Sequence, residues 1–114
     1  MLSLKNRLKD GKDFNHVYKN GRSVFFEGIF IKFLENGREE SRIGFSVGLK
    51  FSKKAVLRNK IKRQLRAILR EELKSLKKGF DIIITPQKIK ENEEYARIEE
   101  KIKKVLKIAK ISHK

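Results

Sequence analysis

Cysteine is absent from the 114 residues of this chain, which also holds only two histidines, one proline and one methionine. Without cysteine there are no disulfides, no thiolate nucleophile and no Cys-ligated zinc. The two histidines, His16 and His113, have no partner at metal-ligand or triad spacing, so no catalytic residue and no metal ligand is assigned. Glycine-rich phosphate loops are missing as well. Nothing in the chain would cut or transfer a phosphodiester unaided.

No stretch approaches the roughly 20 apolar residues of a membrane-spanning helix. The opening Met1-Leu2-Ser3-Leu4-Lys5 lacks the continuous apolar run and small-residue cleavage site of a signal peptide. The expectation is therefore a cytoplasmic protein with neither a membrane partner nor a small-molecule substrate.

Acidic side chains are scarce beside basic ones, 14 against 30, for a formal charge of +16. Such an excess repels itself and implies a polyanionic partner. An apolar content of 39%, with eight phenylalanines, is nevertheless enough for a core. The length fits one domain over residues 1–114, large enough to bury about two thirds of its unfolded surface.

Residues 1–9 read as a basic extended arm carrying Lys5, Arg7 and Lys9. Phe14, Val17 and Tyr18 at i, i+3 and i+4 predict a short helix over 11–19, capped by Asn20-Gly21. The β-branched and aromatic run from Ser23 to Leu34 reads as strand, with Gly28 a place for a bulge and a break into two strands permitted. Asn36-Gly37 is a turn dipeptide, and Arg42 to Leu49 reads as the returning strand of a hairpin or meander. A long helix follows over 55–77, with Ile61, Leu65, Ile68, Leu69, Leu73 and Leu76 on one side and Gly79 at its end. Phe80 to Thr85 is a short apolar strand stopped by Pro86. Tyr95, Ile98, Ile102, Val105, Leu106 and Ala109 mark a closing amphipathic helix. The sum is an α+β fold of order αβββαβα, its helices set on one mixed sheet.

The window Lys50 to Arg70 contains nine basic side chains and no acid. Within it Arg58, Asn59, Lys62, Arg63 and Arg66 form the pattern R-N-x-x-K-R-x-x-R. A solvated charged face would need interspersed acids for i,i+4 pairing, and none occurs before Glu71. Guanidinium forks match phosphate, and the Asn59 amide suits a base edge or the local backbone. The segment is an RNA- or DNA-binding helix. Elsewhere, Phe14 and Tyr18 share one helix face. Strand alternation sets Phe30, Lys32 and Leu34 opposite Ile29, Ile31 and Phe33. Lysine beside phenylalanine suits single-stranded nucleic acid, and simple packing of helix on sheet would use the same residues.

Together these pieces resemble the protein subunit of bacterial ribonuclease P. The likeness rests on the R-N-x-x-K-R-x-x-R helix, preceded by a strand Arg42-Ile43-Gly44-Phe45-Ser46-Val47 and a Lys-rich loop. It includes Arg7-Leu8-Lys9 with Asp13-Phe14 and Val17-Tyr18, then Gly21-Arg22-Ser23, then Gly79-Phe80-Asp81-Ile82, and it spans about residues 4–86. One departure stands in Phe51 to Leu57, where Ser52 replaces the expected Gly and the link is one residue longer. Either Lys53 or Lys54 is left to take the family's contact.

The resemblance implies a two-layer sandwich with a mixed four-stranded sheet and a left-handed β-α-β crossover, the fold of a ribosomal-protein domain. It further implies an affinity subunit for a catalytic RNA, which removes the 5′ leader of precursor tRNA with its own Mg²⁺. No cofactor is expected on the protein. The catalytic RNA would be held by Arg58, Asn59, Lys62, Arg63, Arg66, Lys53 and Lys54. The leader would lie against Phe14, Tyr18, Lys32 and Arg7. A ribosomal scaffold protein is the rival reading. A helix-turn-helix regulator fits poorly, because a strand rather than a second helix adjoins the basic helix.

Overall fold

Periodicity in the sequence becomes three helices and four strands in the computed structural model, which describes residues 3–90 and 92–112. Met1, Leu2, Glu91, His113 and Lys114 lie outside the described residues, and with them the tail histidine and the first two residues of the expected arm. The elements are α1 (Gly11–Asn20), β1 (Arg22–Phe26), β2 (Ile29–Glu35), β3 (Arg42–Phe45), α2 (Ala55–Glu72), β4 (Phe80–Pro86) and α3 (Tyr95–Ile108).

The run from Ser23 to Leu34 divides where Glu27 and Gly28 take positive φ, 44° and 86°. Two successive left-handed residues make the tight turn whose twist matches a hairpin. Gly28 is thus a turn residue rather than a bulge, and β1 pairs antiparallel with β2 from Arg22↔Phe33 to Phe26↔Ile29. Gly21 caps α1 as expected, but at an ordinary φ of −80°. Space is what demands glycine there: a Cβ would stand 2.6 Å from the Val17 carbonyl oxygen and 2.8 Å from that of Phe33.

The strand after Asn36-Gly37 does not return along β2. The sheet order is β1-β2-β4-β3, and β3 pairs in parallel with β4. The reason lies in β4, whose Ile82, Ile83 and Ile84 are all fully buried. A strand apolar on both faces belongs inside the sheet, so β4 inserts between β2 and β3. Joining adjacent parallel strands then requires a crossover, and α2 supplies it. That helix ends at Glu72 and tightens into a 3₁₀ turn over Leu73–Ser75, short of the expected 77. Gly79, at φ 85°, turns the chain into β4 instead of capping the helix.

Cross-strand neighbours share a face, so pairing sorts the side chains into two layers. One face carries Ile29, Ile31, Phe33, Ile43, Ile82 and Ile84, and it packs against Ile61, Leu65, Ile68 and Leu69 of α2 and Ile98, Ile102, Val105 and Leu106 of α3. The expected two-layer arrangement is this part of the molecule. The first helix departs from it by lying on the opposite face, where Val17 meets Leu8 and Ile83. The N-terminal segment is docked there too. After a 3₁₀ turn at Leu4–Asn6, Arg7 bridges to Ile43 and the Leu8 N–H donates to the Ile43 carbonyl at 3.0 Å.

Candidate nucleic-acid interface

Ile61, Leu65, Ile68 and Leu69 are buried in α2, which turns its basic positions outward. Asn59, Arg63 and Arg66 are exposed, and Lys62 and Arg58 are half-buried. Among the described residues no carboxylate pairs with any of them; Glu71, the first acid along the helix, engages Lys74 at 3.8 Å. Lys53 and Lys54 are exposed on the loop before α2. Arg58 has a structural task that the motif did not reveal: its Nη1 donates to the Ser52 carbonyl at 3.0 Å. The Ser52 hydroxyl accepts the Lys54 N–H at 3.1 Å. Serine, standing where glycine was expected, therefore helps to pin the Lys-rich loop onto the first turn of the basic helix.

One flank of α2 borders the second candidate region. Lys62 and Arg66 line a groove of about 460 Å³ together with Arg7, Lys9, Phe14, Gly44 and Phe45. Gly44 is small because Phe14 lies on it, and a Cβ there would run into the ring. Tyr18 follows one helical turn on, its ring centroid 6.3 Å from that of Phe14 and tilted by 46°. Tyr18 is 39% exposed, more than a core aromatic would be. Lys32 stands on the same sheet face, paired across strands with Ser23 on one side and Ile83 on the other. Tertiary structure thus brings Arg7 and Phe14 to Lys62 and Arg66. Asn59, Arg63, Lys53 and Lys54 lie outside that groove.

A salt-bridged cluster holds this region in place, and sequence reasoning missed it. Arg42 donates from Nε and Nη2 to both oxygens of Asp81, at 2.8 and 2.6 Å, and from Nη1 to Asp13 at 3.2 Å. Asn36 adds a 2.8 Å bond to Asp81. The hydrogen bond to Asp81 raises the Arg42 guanidinium above its ordinary range, against the lowering effect of burial. A bidentate pair of this kind fixes geometry as well as charge. It ties the N-terminal turn of α1 to β3 and β4 and so sets where Phe14 sits. No local signal could have disclosed it, since Asp81 is 39 positions from Arg42.

Among the described residues no group of three or more His, Cys, Asp or Glu could hold a metal ion, and no helix is long and apolar enough to cross a membrane. A further groove, of about 500 Å³, opens beside α3 between Lys88, Lys90, Arg97 and Lys101. Its charges partly satisfy one another, because Glu93 meets Arg97 at 3.5 Å and Lys101 at 3.9 Å.

Comparison with known proteins bears on the family and the fold. The sequence profile of the family described as Ribonuclease P matches residues 2–110. The Ribonuclease P protein component of a Pseudanabaena species is 38% identical over 114 residues, covering 99% of this chain and 98% of that one. Among solved structures, the Staphylococcus aureus RNase P protein superposes with a TM-score of 0.84 at 34% identity, covering 94% of this chain and 97% of the other. For the Thermotoga maritima RNase P protein the TM-score is 0.81 at 36% identity, with 90% and 96% covered. A full-length sequence match and a shared fold at this identity leave one conclusion: the chain belongs to the ribonuclease P protein family.

Proposed function

We propose that this protein is the affinity subunit of a ribonuclease P ribonucleoprotein, in which a catalytic RNA removes the 5′ leader of precursor tRNA. The observation that carries the reading is the groove shared by Lys62 and Arg66 of the basic helix with Arg7 and Phe14 of the α1 region. Through it the basic face of α2 would continue into the α1 region, where the leader would lie. Family membership favours this role over that of a ribosomal scaffold.

The division of labour follows from exposure. Asn59, Arg63, Lys53 and Lys54 point to solvent and would meet phosphates of the catalytic RNA. Arg58 would act chiefly by holding the loop that presents Lys53 and Lys54. Phe14 and Tyr18 would stack leader bases while Lys32 and Arg7 neutralise the leader backbone. Lys62 and Arg66 stand where the two surfaces join, and there they would keep the leader in register with the RNA active site. Phosphodiester hydrolysis and the Mg²⁺ that supports it belong to the RNA.

Reconstitution tests the proposal. Catalytic RNA and precursor tRNA at low Mg²⁺ are expected to give leader cleavage with this chain and little without it. Equal cleavage in both reactions would overturn the assignment. Cleavage by the protein free of RNA would overturn the division between RNA chemistry and protein affinity.

A further inference from the structure

The sheet face under α1 is only partly covered. Pairing arranges it in three rows that run across the strands. Leu34, Asp81 and Arg42 form the first row, and Ser23, Lys32, Ile83 and Gly44 the second. Packing of α1 closes the interior part of both, with Val17 on Ile83 and Leu34, and Phe14 on Gly44. The third row, Phe25, Phe30 and Thr85, lies beyond the helix. Phe25 is 52% exposed, and it stands next to last in β1, between Val24 and Phe26, which already pack against the main core.

Folding gives no reason for that side chain. An edge strand with an open face normally carries polar residues there, and the core has no use for Phe25. Among the described residues no ring contact joins Phe25 to Phe30, so neither ring is closed off by the other. The open positions beside them are Ser23, Lys32 and Thr85, with no acid among them. Strand spacing of about 4.8 Å separates neighbouring positions along the row. Aromatic rings beside a lysine, with no carboxylate at the open positions next to them, suit single-stranded nucleic acid: bases stack and phosphates pair.

We infer that Phe25 and Phe30 form a stacking shelf that extends the leader-binding cleft from α1 to the outer edge of the sheet, where it takes the leader nucleotides farther from the cleavage site. The ligand is single-stranded RNA, and this inference rests on the proposed function above. It adds a requirement of its own, namely that affinity keeps growing with leader length beyond the reach of Phe14 and Tyr18.

The test uses the reconstituted holoenzyme and two precursor tRNAs, one with a leader ending under α1 and one long enough to reach β1. Phe25→Ala and Phe30→Ala are expected to weaken binding of the long-leader substrate by about fivefold or more, the effect of losing one stacked base, and to leave the short-leader substrate unchanged. Phe25→Tyr should restore the loss. Phe25→Leu, apolar but without a π-face, should not. Equal weakening of both substrates, or full rescue by leucine, would overturn the shelf. So would a change from dimer to monomer on Phe25→Ala in sedimentation, because a second copy would then be covering the face. The reading on which this depends fails separately: if Phe14→Ala also leaves leader-length dependence untouched, the cleft itself is misassigned. Loss with Phe14→Ala but none with Phe25→Ala would defeat the extension alone.

Discussion

The two faces of the sheet are built from alternate residues of the same strands, yet they serve different ends. On one, Ile29, Ile31, Phe33, Ile82 and Ile84 disappear beneath α2 and α3. On the other, α1 covers a few positions and leaves Lys32, Phe25 and Phe30 at least partly open. Alternation in a strand has a period of two, so one sequence can write both surfaces without compromise. The covered face makes the fold stable. The open face, with the basic flank of α2 beside it, is the surface proposed above to meet RNA. Stability and recognition are therefore expected to be separable by substitution.

The largest effect expected is electrostatic and belongs to the recognition side alone. If six to ten phosphates are neutralised, affinity for the catalytic RNA should fall about 10³- to 10⁵-fold between about 50 and 200 mM salt. Filter binding across that range measures it. A flat response would mean that the basic residues of α2 do not face phosphates. On the stability side, Arg42→Ala should cost about 3–5 kcal/mol in urea unfolding, because it strands the buried Asp81 carboxylate. Of the two faces' residues, Arg42 is the one expected to blur the separation, since it also positions α1 and with it Phe14. Leu65→Ala in α2, where it packs on the covered face, should cost about 2–5 kcal/mol and leave leader affinity per folded molecule unaltered.

Tyr18→Ala should show the reverse pattern. Stability is expected to change by no more than about 0.5 kcal/mol, while binding of leader-bearing precursor weakens by about 1–3 kcal/mol. A large loss of stability would place the ring in the core and erase the contrast. Smallest is the choice between Lys53 and Lys54, both exposed on the loop held by Arg58 and Ser52. Replacing the one that meets a phosphate should lower the log–log salt slope by about 0.9, and replacing the other should leave it alone. Two equal slopes would show that the longer loop shares the contact.

Legibility differed among the elements for reasons that can be traced. Helices α2 and α3 were readable because their apolar residues recur at 3.6-residue spacing and are buried where that spacing puts them. The basic motif was readable because charge without nearby acid has no local explanation. The place of β3 was not readable from local spacing, although the family resemblance implied the β-α-β crossover that puts it beside β4. Asn36-Gly37 argued for a hairpin return, but which strands pair is settled by the need to bury β4 on both faces, a condition imposed by the whole sheet. Gly44 and Arg42 were opaque in the same way. One is small to admit the ring of Phe14, and the other is matched to a carboxylate far along the chain.

What the sequence by itself determined is the set of elements, the excess of positive charge and the helix that displays it, since these depend on spacing and composition along the chain. Only the tertiary structure decided that Arg7 and Phe14 share a groove with Lys62 and Arg66, and that α1 lies across from α2 and α3. Such neighbours are chosen by burial and by long-range pairing, which act between residues that periodicity cannot connect.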